Sequence, residues 1–232
     1  MNLPDADNKA AVVKAMFDRI TPHYDLMNRL MTFGMDRAWR QQTVDAVGGA
    51  PGSLVLDLAC GTGDLCADAL RAGHRVVGLD FSVRMLQAAA ARRIGCRFIR
   101  ADALRLPLRD NSFDAIVSGF ALRNFTDLEG VFRECFRALR PGGRIAFLEV
   151  DTPASAVLRF GHRIYFHKLV PLMGRLIDRD AYAYLPSSIC YLPDEASMMA
   201  MLRAAGFSGL GKRRLLGGSV QMVTAQRQFQ RI

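Results

Sequence analysis

The chain of 232 residues contains no apolar run of membrane-spanning length, because charged residues interrupt every hydrophobic stretch well short of the roughly 20 residues that a spanning helix needs. Its first residues, MNLPDADNKAA, are acidic and have no apolar core, so we expect no signal peptide. The five cysteines include no CxxC pair. An odd number of scattered thiols favours a reducing, cytoplasmic compartment and argues against a zinc site, so we expect no bound metal.

The formal net charge of the chain is +9, and acidic residues are scarce in two parts of it. From Arg203 to the end there are six cations and no acids, and residues 155–180 carry five cations against two acids, a net charge of +3. Such a surface meets nucleic acid or an anionic membrane, or it is the solvated face of an arginine-rich protein. The chain lacks the NPPY tetrapeptide and the cysteine context of base-modifying enzymes, so we expect no nucleic-acid partner.

Apolar runs and helical segments alternate through the middle of the chain, which predicts an α/β fold with a parallel, doubly wound sheet. The predicted strands are Leu54–Leu58, Arg75–Leu79, Cys96–Arg100, Phe113–Ser118 and Arg144–Val150. The predicted helices are Asp64–Ala72, Ser82–Arg93 and Leu128–Leu139, with Ser82 as an N-cap and Pro141-Gly142-Gly143 as the stop signal. Near the end, Gly217-Gly218 separates Leu210–Leu216 from Ser219–Gln226, which predicts an antiparallel hairpin.

Two helical additions flank this core, and we treat residues 1–232 as one domain. Residues 8–47 have the pattern of helices broken at Thr21-Pro22, and we expect them to form an N-terminal lid. Residues 155–180 interrupt the alternation with an amphipathic helix that Pro171 should kink. Its expected apolar face consists of Leu158, Tyr165, Leu169, Leu172 and Leu176. An insertion at this place in the order of elements is expected on the ligand side of the sheet.

The most informative segment is Val55–Leu65, VLDLACGTGDL, in which an apolar run ends at a turn of small residues before a helix. Gly61 and Gly63 allow the backbone to approach a ligand closely. Seventeen residues after Gly63, the next predicted strand leads into Asp80, where an acid meets ribose hydroxyls. Leu65-Cys66 stands where a dinucleotide fingerprint has its third glycine, which disfavours NAD and favours an adenosine cofactor without a pyrophosphate.

Three further positions allow two interpretations each. Asp102-Ala103, just past the third predicted strand, meets an adenine edge or forms a turn. Asp64 accepts from a cofactor amine or caps the helix that follows. Arg123 and Asn124, in the segment FALRNFTD (Phe120–Asp127), either contact a substrate or hold the loop together, because a buried charged group requires a partner.

Six segments, in order along nearly the whole chain, resemble the ubiquinone/menaquinone biosynthesis C-methyltransferase family. They are MFDRITPHYDLMNRLMTFGMDRAWR (Met16–Arg40), LDLACGTGDL, DALRLPLRDNSFD, FALRNFTD, LRPGGRIAFLEV and YAYLPSSICYLPD. The resemblance implies the class I methyltransferase fold, a Rossmann-like, doubly wound, seven-stranded and mostly parallel sheet with a C-terminal antiparallel hairpin. It also implies S-adenosyl-L-methionine as methyl donor and a lipophilic, polyprenylated quinol as acceptor.

The resemblance also assigns roles to particular residues. Those expected to bind the cofactor are Asp57, Gly61, Thr62, Gly63, Asp80, Asp102, Ala103 and Gly119. Arg123 and Asn124 are expected beside the reacting ring as catalytic residues, and Tyr24 and Asn28 are expected to bind the substrate. Since arginine stays protonated, we expect Arg123 to stabilise a phenolate or to orient a water molecule.

The acceptor is the least determined part of this hypothesis. We favour demethylmenaquinol over a 2-polyprenyl-6-methoxy-benzoquinol, because the segment GGSVQM (217–222) departs from the family as menaquinone-type members do. The residues also allow a soluble aromatic acceptor or, in a different class of protein, a non-catalytic quinone-binding or assembly subunit. A bilayer-resident acceptor implies a cytoplasmic protein that is peripheral on the inner face of an anionic membrane. The sequence leaves the oligomeric state open.

Overall fold

A seven-stranded sheet organises the computed structural model, which describes residues 6–170 and 178–229. The strands are β1 (Leu54–Leu58), β2 (Arg75–Asp80), β3 (Arg97–Arg100), β4 (Phe113–Gly119), β5 (Leu139–Val150), β6 (Phe207–Leu215) and β7 (Val220–Arg227). Their order across the sheet is β3-β2-β1-β4-β5-β7-β6. Strands β1 to β5 pair in parallel, whereas β7 is antiparallel to both β5 and β6. The predicted fold and its terminal hairpin are confirmed.

Helices precede the sheet and connect its strands. In the described residues they are α1 (Ala6–Ile20), α2 (Tyr24–Met31), α3 (Asp36–Val47), α4 (Asp64–Arg71), α5 (Val83–Ala91), α6 (Leu128–Ala138), α7 (Ala156–Ile164), α8 (Arg179–Ser187) and α9 (Glu195–Ala204). The predicted break at Thr21-Pro22 is confirmed as a 3₁₀ turn between α1 and α2. Ser82 is confirmed as the N-cap of α5, because its hydroxyl accepts a hydrogen bond from the Met85 amide at 3.1 Å.

The prediction for the start of β5 is wrong. The sequence predicts a turn at Pro141-Gly142-Gly143 before a strand that begins at Arg144, but the strand begins at Leu139. Leu139 pairs with Phe113 and Arg144 pairs with Ala115, so the extra residues of β5 are accommodated as an irregularity within the pairing. Gly142, at φ +85°, supplies the backbone conformation that this irregularity requires.

Both faces of the central strands are buried, as a parallel sheet requires. On one face, Leu56 and Phe147 pack with Phe132 of α6 and Leu202 of α9. On the other, residues of β1, β2 and β4 pack with α3 and α4, and they include Val55, Val76, Val117, Val44 and Leu65. These two layers fix the carboxyl ends of the strands relative to one another.

A third apolar cluster lies outside these two layers. Val13 and Met16 of α1 and Met27 of α2 pack there with Val170 and Tyr184. Helices α1 and α2 are therefore packed against residues of the segments 165–170 and 181–191. After α7 the chain continues as a π-helical turn, Tyr165–Leu169. The predicted kink at Pro171 and the predicted face positions Leu172 and Leu176 lie outside the described residues, as does the side chain of Leu169.

Within the described ranges, none of the helices combines the length and the apolar character that crossing a bilayer demands.

Phe147→Ala tests the packing between the sheet and α6. The Phe147 ring is fully buried and stacks on Phe132 with ring centroids 6.0 Å apart. We expect the substitution to lower the free energy of unfolding by about 3–5 kcal/mol, measured by denaturant titration. Phe229→Ala is the matched control, because that ring is 72% exposed and its loss should change stability by less than about 0.5 kcal/mol. Equal effects of the two substitutions would contradict the packing.

Candidate functional site

The turn that follows β1 takes a backbone conformation that few residues tolerate. Ala59, Gly61 and Gly63 all have positive φ, at 56°, 53° and 86°. Gly63 also lacks room for a side chain, because a Cβ atom there would lie 2.6 Å from Cδ1 of Ile94. The turn is held to β2 by the Cys60 amide, which donates to the Leu79 carbonyl at 2.9 Å. Its bare backbone faces the carboxyl ends of β1, β2 and β4, where ligands bind in open α/β sheets.

Asp80, the last residue of β2, is hydrogen-bonded to this turn. Its Oδ2 accepts from the Gly61 amide at 2.9 Å, and its Oδ1 accepts from the Ser82 amide at 2.8 Å. Burial raises the pKa of this carboxyl group, and the backbone hydrogen bonds oppose that effect. Each carboxylate oxygen has further acceptor capacity, so Asp80 can also receive ligand hydroxyl groups. The structure thus brings Asp80 and Gly61 together, as the sequence predicts.

A first cavity, with about 850 Å³ of empty space including its opening, begins at Asp80. Apolar side chains form much of its wall, among them Phe81 and Met85, and Asp102-Ala103 lies on it as well. Oδ1 of Asp102 also accepts from the Leu104 amide at 2.9 Å, so this carboxylate both forms the turn and lines the cavity. An apolar slot with an acid at one end has the chemistry that a nucleoside requires.

A second cavity, with about 2120 Å³ of empty space including its mouth, adjoins the first. Its walls come from α1, α2, α3, the glycine turn, α7 and the loop between β6 and β7, and they include the only tryptophan of the chain, Trp39. The residues that line both cavities are Phe17, Tyr24, Ala59, Gly61, Gly119 and Phe120. Two bound molecules can therefore meet at this shared wall.

Asp57 lines the second cavity and carries a buried, unpaired acceptor atom. Its Oδ2 accepts from the Cys66 thiol at 3.1 Å, while the buried Oδ1 has no hydrogen-bond partner in the described part of the chain. Burial raises the pKa of this carboxyl group to about 7, and the charge of Asp80 contributes in the same direction. A buried acceptor without a partner on a cavity wall is suited to a cationic or hydrogen-bond-donating ligand group.

The glycine turn is also hydrogen-bonded to α2. The Thr62 hydroxyl donates to Oδ1 of Asp25 at 2.5 Å, and Arg92 donates to the Thr62 carbonyl at 2.8 Å. Tyr24 and Asn28, the two predicted substrate residues, lie on the same helix and line the second cavity. Burial raises the pKa of the Tyr24 hydroxyl, which is therefore protonated at neutral pH.

Arg123 follows β4 in a short 3₁₀ turn, and its guanidinium group is buried. Its Nη1 forms an ion pair with Glu149 and donates to the Phe120 carbonyl at 2.9 Å, while its Nε donates to Oγ of Ser188 at 3.2 Å. Nη2 has no hydrogen-bond acceptor among the described residues, and Arg123 lines the second cavity. The side chain thus has a structural partner and still retains N–H groups for a ligand.

Asn124 lines the first cavity rather than the second. Its Oδ1 accepts from the Tyr184 hydroxyl at 3.2 Å. The preceding Phe120, on the shared wall, has φ of 58°, an uncommon conformation for a bulky residue. Strain of this kind is often found where surrounding contacts hold a functional loop in place.

Asp64 is the acid of the first turn of α4, but it makes no capping hydrogen bond to that helix. The N-cap residue of α4 is Gly63, and no side chain caps the helix. The Asp64 carboxylate pairs instead with Arg92 at 2.7 Å and with Arg40 at 3.2 Å. These two arginines hold it on the wall of the second cavity.

Sequence reasoning missed the partners of Arg123. Glu149 is fully buried at the end of β5, and Ser188 follows α8. The one sequence signal for Glu149 is an acid that interrupts the apolar run IAFLEV. Phe17 and Phe120 were missed on the shared wall, because an apolar residue on a cavity wall has no sequence signature that separates it from the core.

The chain has clear relatives. The model of the ubiE/COQ5 methyltransferase family matches residues 5–227. The demethylmenaquinone methyltransferase of Roseiflexus castenholzii is 43% identical over 217 residues, which cover 91% of each chain. The demethylmenaquinone methyltransferase of Mycolicibacterium paratuberculosis is 39% identical over 229 residues, covering 98% of this chain and 99% of its own.

A solved structure confirms the fold independently. A SAM-dependent methyltransferase of Thermotoga maritima superposes with a TM-score of 0.65 and covers 92% of this chain and 99% of its own, at 18% identity. At that level of identity the similarity concerns the fold alone.

Asp57→Asn tests the buried carboxyl group. Since burial raises the pKa of Asp57 to about 7, the folded chain holds this proton more tightly than the unfolded chain does. The contribution of Asp57 to the free energy of unfolding is therefore greatest at acidic pH and falls as pH rises through 7. Asparagine has no titrating proton, so the substitution should raise the free energy of unfolding relative to the wild type more at high pH. We expect this difference between variant and wild type to be about 2–3 kcal/mol larger at pH 8 than at pH 5. Denaturant titrations at both pH values measure this, and an effect independent of pH would contradict it.

Proposed function

Because the chain belongs to the ubiE/COQ5 methyltransferase family, whose members use S-adenosyl-L-methionine as methyl donor, we propose that its acceptor is demethylmenaquinol, methylated at a ring carbon. The observation that carries the proposal is the wall shared by the two cavities. One cavity has the acid and the apolar slot that suit a nucleoside, and the other is larger, mostly apolar and continuous with it. The demethylmenaquinone methyltransferases that resemble this chain over nearly its whole length support the choice of acceptor.

Residues of both cavities fit the methyl donor. Asp80 and Asp102-Ala103, on the wall of the first cavity, would hold the ribose hydroxyls and the adenine edge. Asp57, on the wall of the second cavity, has an Oδ1 without a partner in the described residues and would accept from the ammonium group of the methionine end. Gly61 and Gly119 keep this path free of side chains, whereas a side chain at Gly63 would meet Ile94. When bound, the donor supplies an electrophilic methyl group on a sulfonium.

The second cavity positions the quinol. A quinol ring carbon becomes nucleophilic as its phenol loses a proton, and a cation beside the oxygen stabilises the phenolate. Nη2 of Arg123 provides that cation or orients the water that takes the proton, and Glu149 holds the guanidinium group in place. Tyr24 and Asn28 complete this pocket, and Asn124 lies on the wall of the adjoining first cavity. The apolar walls exclude water, which strengthens the electrostatic effect of Arg123.

Residues 8–47 act as the lid of this site and residues 155–180 as its substrate-side insertion. The isoprenoid tail keeps the acceptor in the bilayer, so the protein works as a cytoplasmic, peripheral protein at the inner face of an anionic membrane. The net charge of +3 over residues 155–180 supports this localisation, since each basic residue near an anionic surface contributes about 1 kcal/mol of attraction.

Asp80→Asn tests donor binding apart from methyl transfer. The substitution removes the charge that receives the ribose hydroxyls and should weaken binding of S-adenosyl-L-methionine about 10–100-fold, measured by calorimetry without acceptor. Asp110→Asn is the matched control, because the Asp110 side chain is 66% exposed and lines neither cavity. Unchanged affinity of Asp80→Asn would contradict the donor site.

Arg123→Lys tests the acceptor side. Lysine keeps a cation for Glu149 but loses the Nη2 donors, so we expect kcat to fall about 100-fold while the donor Kd stays within about twofold. Turnover is measured with a demethylmenaquinol analogue, a 2-polyprenyl-6-methoxy-benzoquinol analogue and a soluble hydroquinone. Arg133→Lys on the exposed face of α6 is the control. Wild-type turnover by Arg123→Lys would contradict its role, and a preference for either of the last two acceptors would contradict the proposed substrate.

A further inference from the structure

Exposed large hydrophobic side chains are concentrated in one region of the molecule. In the described part of the chain there are ten, and eight of them lie on α2 and the turn after it, on α7, or in the loop between β6 and β7. These eight are Leu26, Leu30, Phe33, Val157, Leu158, Phe160, Ile164 and Leu216. Scattered single exposures are ordinary on a protein surface, whereas a cluster indicates a binding surface.

The three segments that carry these residues contact one another. The Tyr165 hydroxyl donates to the Met31 carbonyl at 2.5 Å, and the Tyr165 and Phe33 rings lie 5.9 Å apart. On the other side, Leu158 of α7 packs so closely on Gly217 that a Cβ atom there would lie 2.9 Å from its Cδ1. We call the continuous surface formed by Phe33, α7 and Leu216 the apolar lip.

The apolar lip is the rim of the second cavity. Phe33, Val157, Leu158 and Leu216 line that cavity and are exposed as well. Helix α7 has no buried residue at all, and Val157, Phe160 and Ile164 follow the spacing of a single helical face. The protein itself does not cover this apolar face of α7, which lies next to an apolar cavity. The surface therefore suits an occupant that contacts the helix face and extends into the cavity.

The segments that form the lip carry charge of one sign. Residues 26–35, 153–170 and 212–223 contain no Asp or Glu. Within the ranges that the structure describes, Lys212 and Arg214 pair with acids, whereas Arg29, Arg163 and Lys168 form no ion pair. A second copy of the chain would place cation against cation across a symmetric interface. An anionic bilayer complements both the charge and the apolar surface.

We infer that the apolar lip inserts into the interfacial region of an anionic bilayer, so that the second cavity opens directly toward lipid. This inference rests on the proposed function, in which the acceptor carries an isoprenoid tail. The acceptor then reaches the shared wall by moving sideways out of the bilayer, and its tail stays in lipid while its ring lies in the cavity. Apolar insertion holds the protein in place, and the unpaired cations beside the lip select the anionic surface.

The test uses Phe160→Ser combined with Ile164→Ser. Both residues are exposed and neither lines a cavity, so stability and the site should be unchanged. Binding is measured by sedimentation with vesicles of phosphatidylglycerol and phosphatidylcholine, and with phosphatidylcholine alone. We expect the wild type to prefer the anionic vesicles and the double variant to bind them about tenfold more weakly. The matched control, Val12→Ser with Phe229→Ser, removes exposed apolar residues away from the lip and should bind like the wild type.

Two activity assays separate this inference from the proposed function. With a tail-less quinol and no vesicles, wild type and double variant should turn over equally. With a long-tailed quinol in anionic vesicles, the double variant should be slower. Failure of the wild type on both quinols would overturn the proposed function. If the wild type methylates the quinols but wild type and double variant bind vesicles equally, the inference that the lip inserts into a bilayer would be overturned. A dimer that forms without lipid and is dissociated by the double substitution would also overturn it.

Discussion

The buried ion pair between Arg123 and Glu149 is the constraint on which the arrangement of the site depends. Glu149 is fully buried at the end of β5, and its carboxylate receives the Arg123 backbone amide, the Arg123 guanidinium group and the Val150 amide. Two buried charges are favourable only when their hydrogen-bonding groups are satisfied, and removing one partner commonly costs about 3–5 kcal/mol. The pair therefore fixes the loop after β4 to the neighbouring strand. Through Ser188 it also fixes that loop to the segment after α8.

The first two helices, α1 and α2, are attached in a different way from α3, which belongs to the sheet core. They pack mainly in a cluster of their own with residues of the segments 165–170 and 181–191, and a few polar contacts connect them to the elements around the sheet. Those contacts include Thr62 with Asp25, Ser82 with Asp18, and Lys9 with the Phe125 carbonyl. Contacts of this kind contribute about 1 kcal/mol each, much less than the sheet core. The wall between the cavities thus joins a rigid half, with Gly61 and Gly119, to a less firmly attached half, with Phe17 and Tyr24.

The sequence predicted what is encoded locally. Alternation of apolar runs gives the parallel strands, Gly61 and Gly63 mark the turn, and Asp80 follows from its place after β2. The pairing of Arg123 with Glu149 joins residues 26 positions apart and depends on β4 and β5 being neighbours, which no local pattern encodes. The irregular start of β5 depends on its pairing with Phe113 in the same way. The cavities depend on how helices from both ends of the chain meet over the sheet, and the acceptor roles of Tyr24 and Asn28 came from family resemblance alone.

The position of Trp39 makes the molecule its own spectroscopic probe. It is the only tryptophan of the chain, its side chain is buried, and it lies on the wall of the second cavity. Intrinsic emission excited at the indole band therefore comes from one site, beside the space assigned to the aromatic acceptor. Occupancy of that space alters the surroundings of a single fluorophore, so the unlabelled wild-type protein reports the filling of its own cavity.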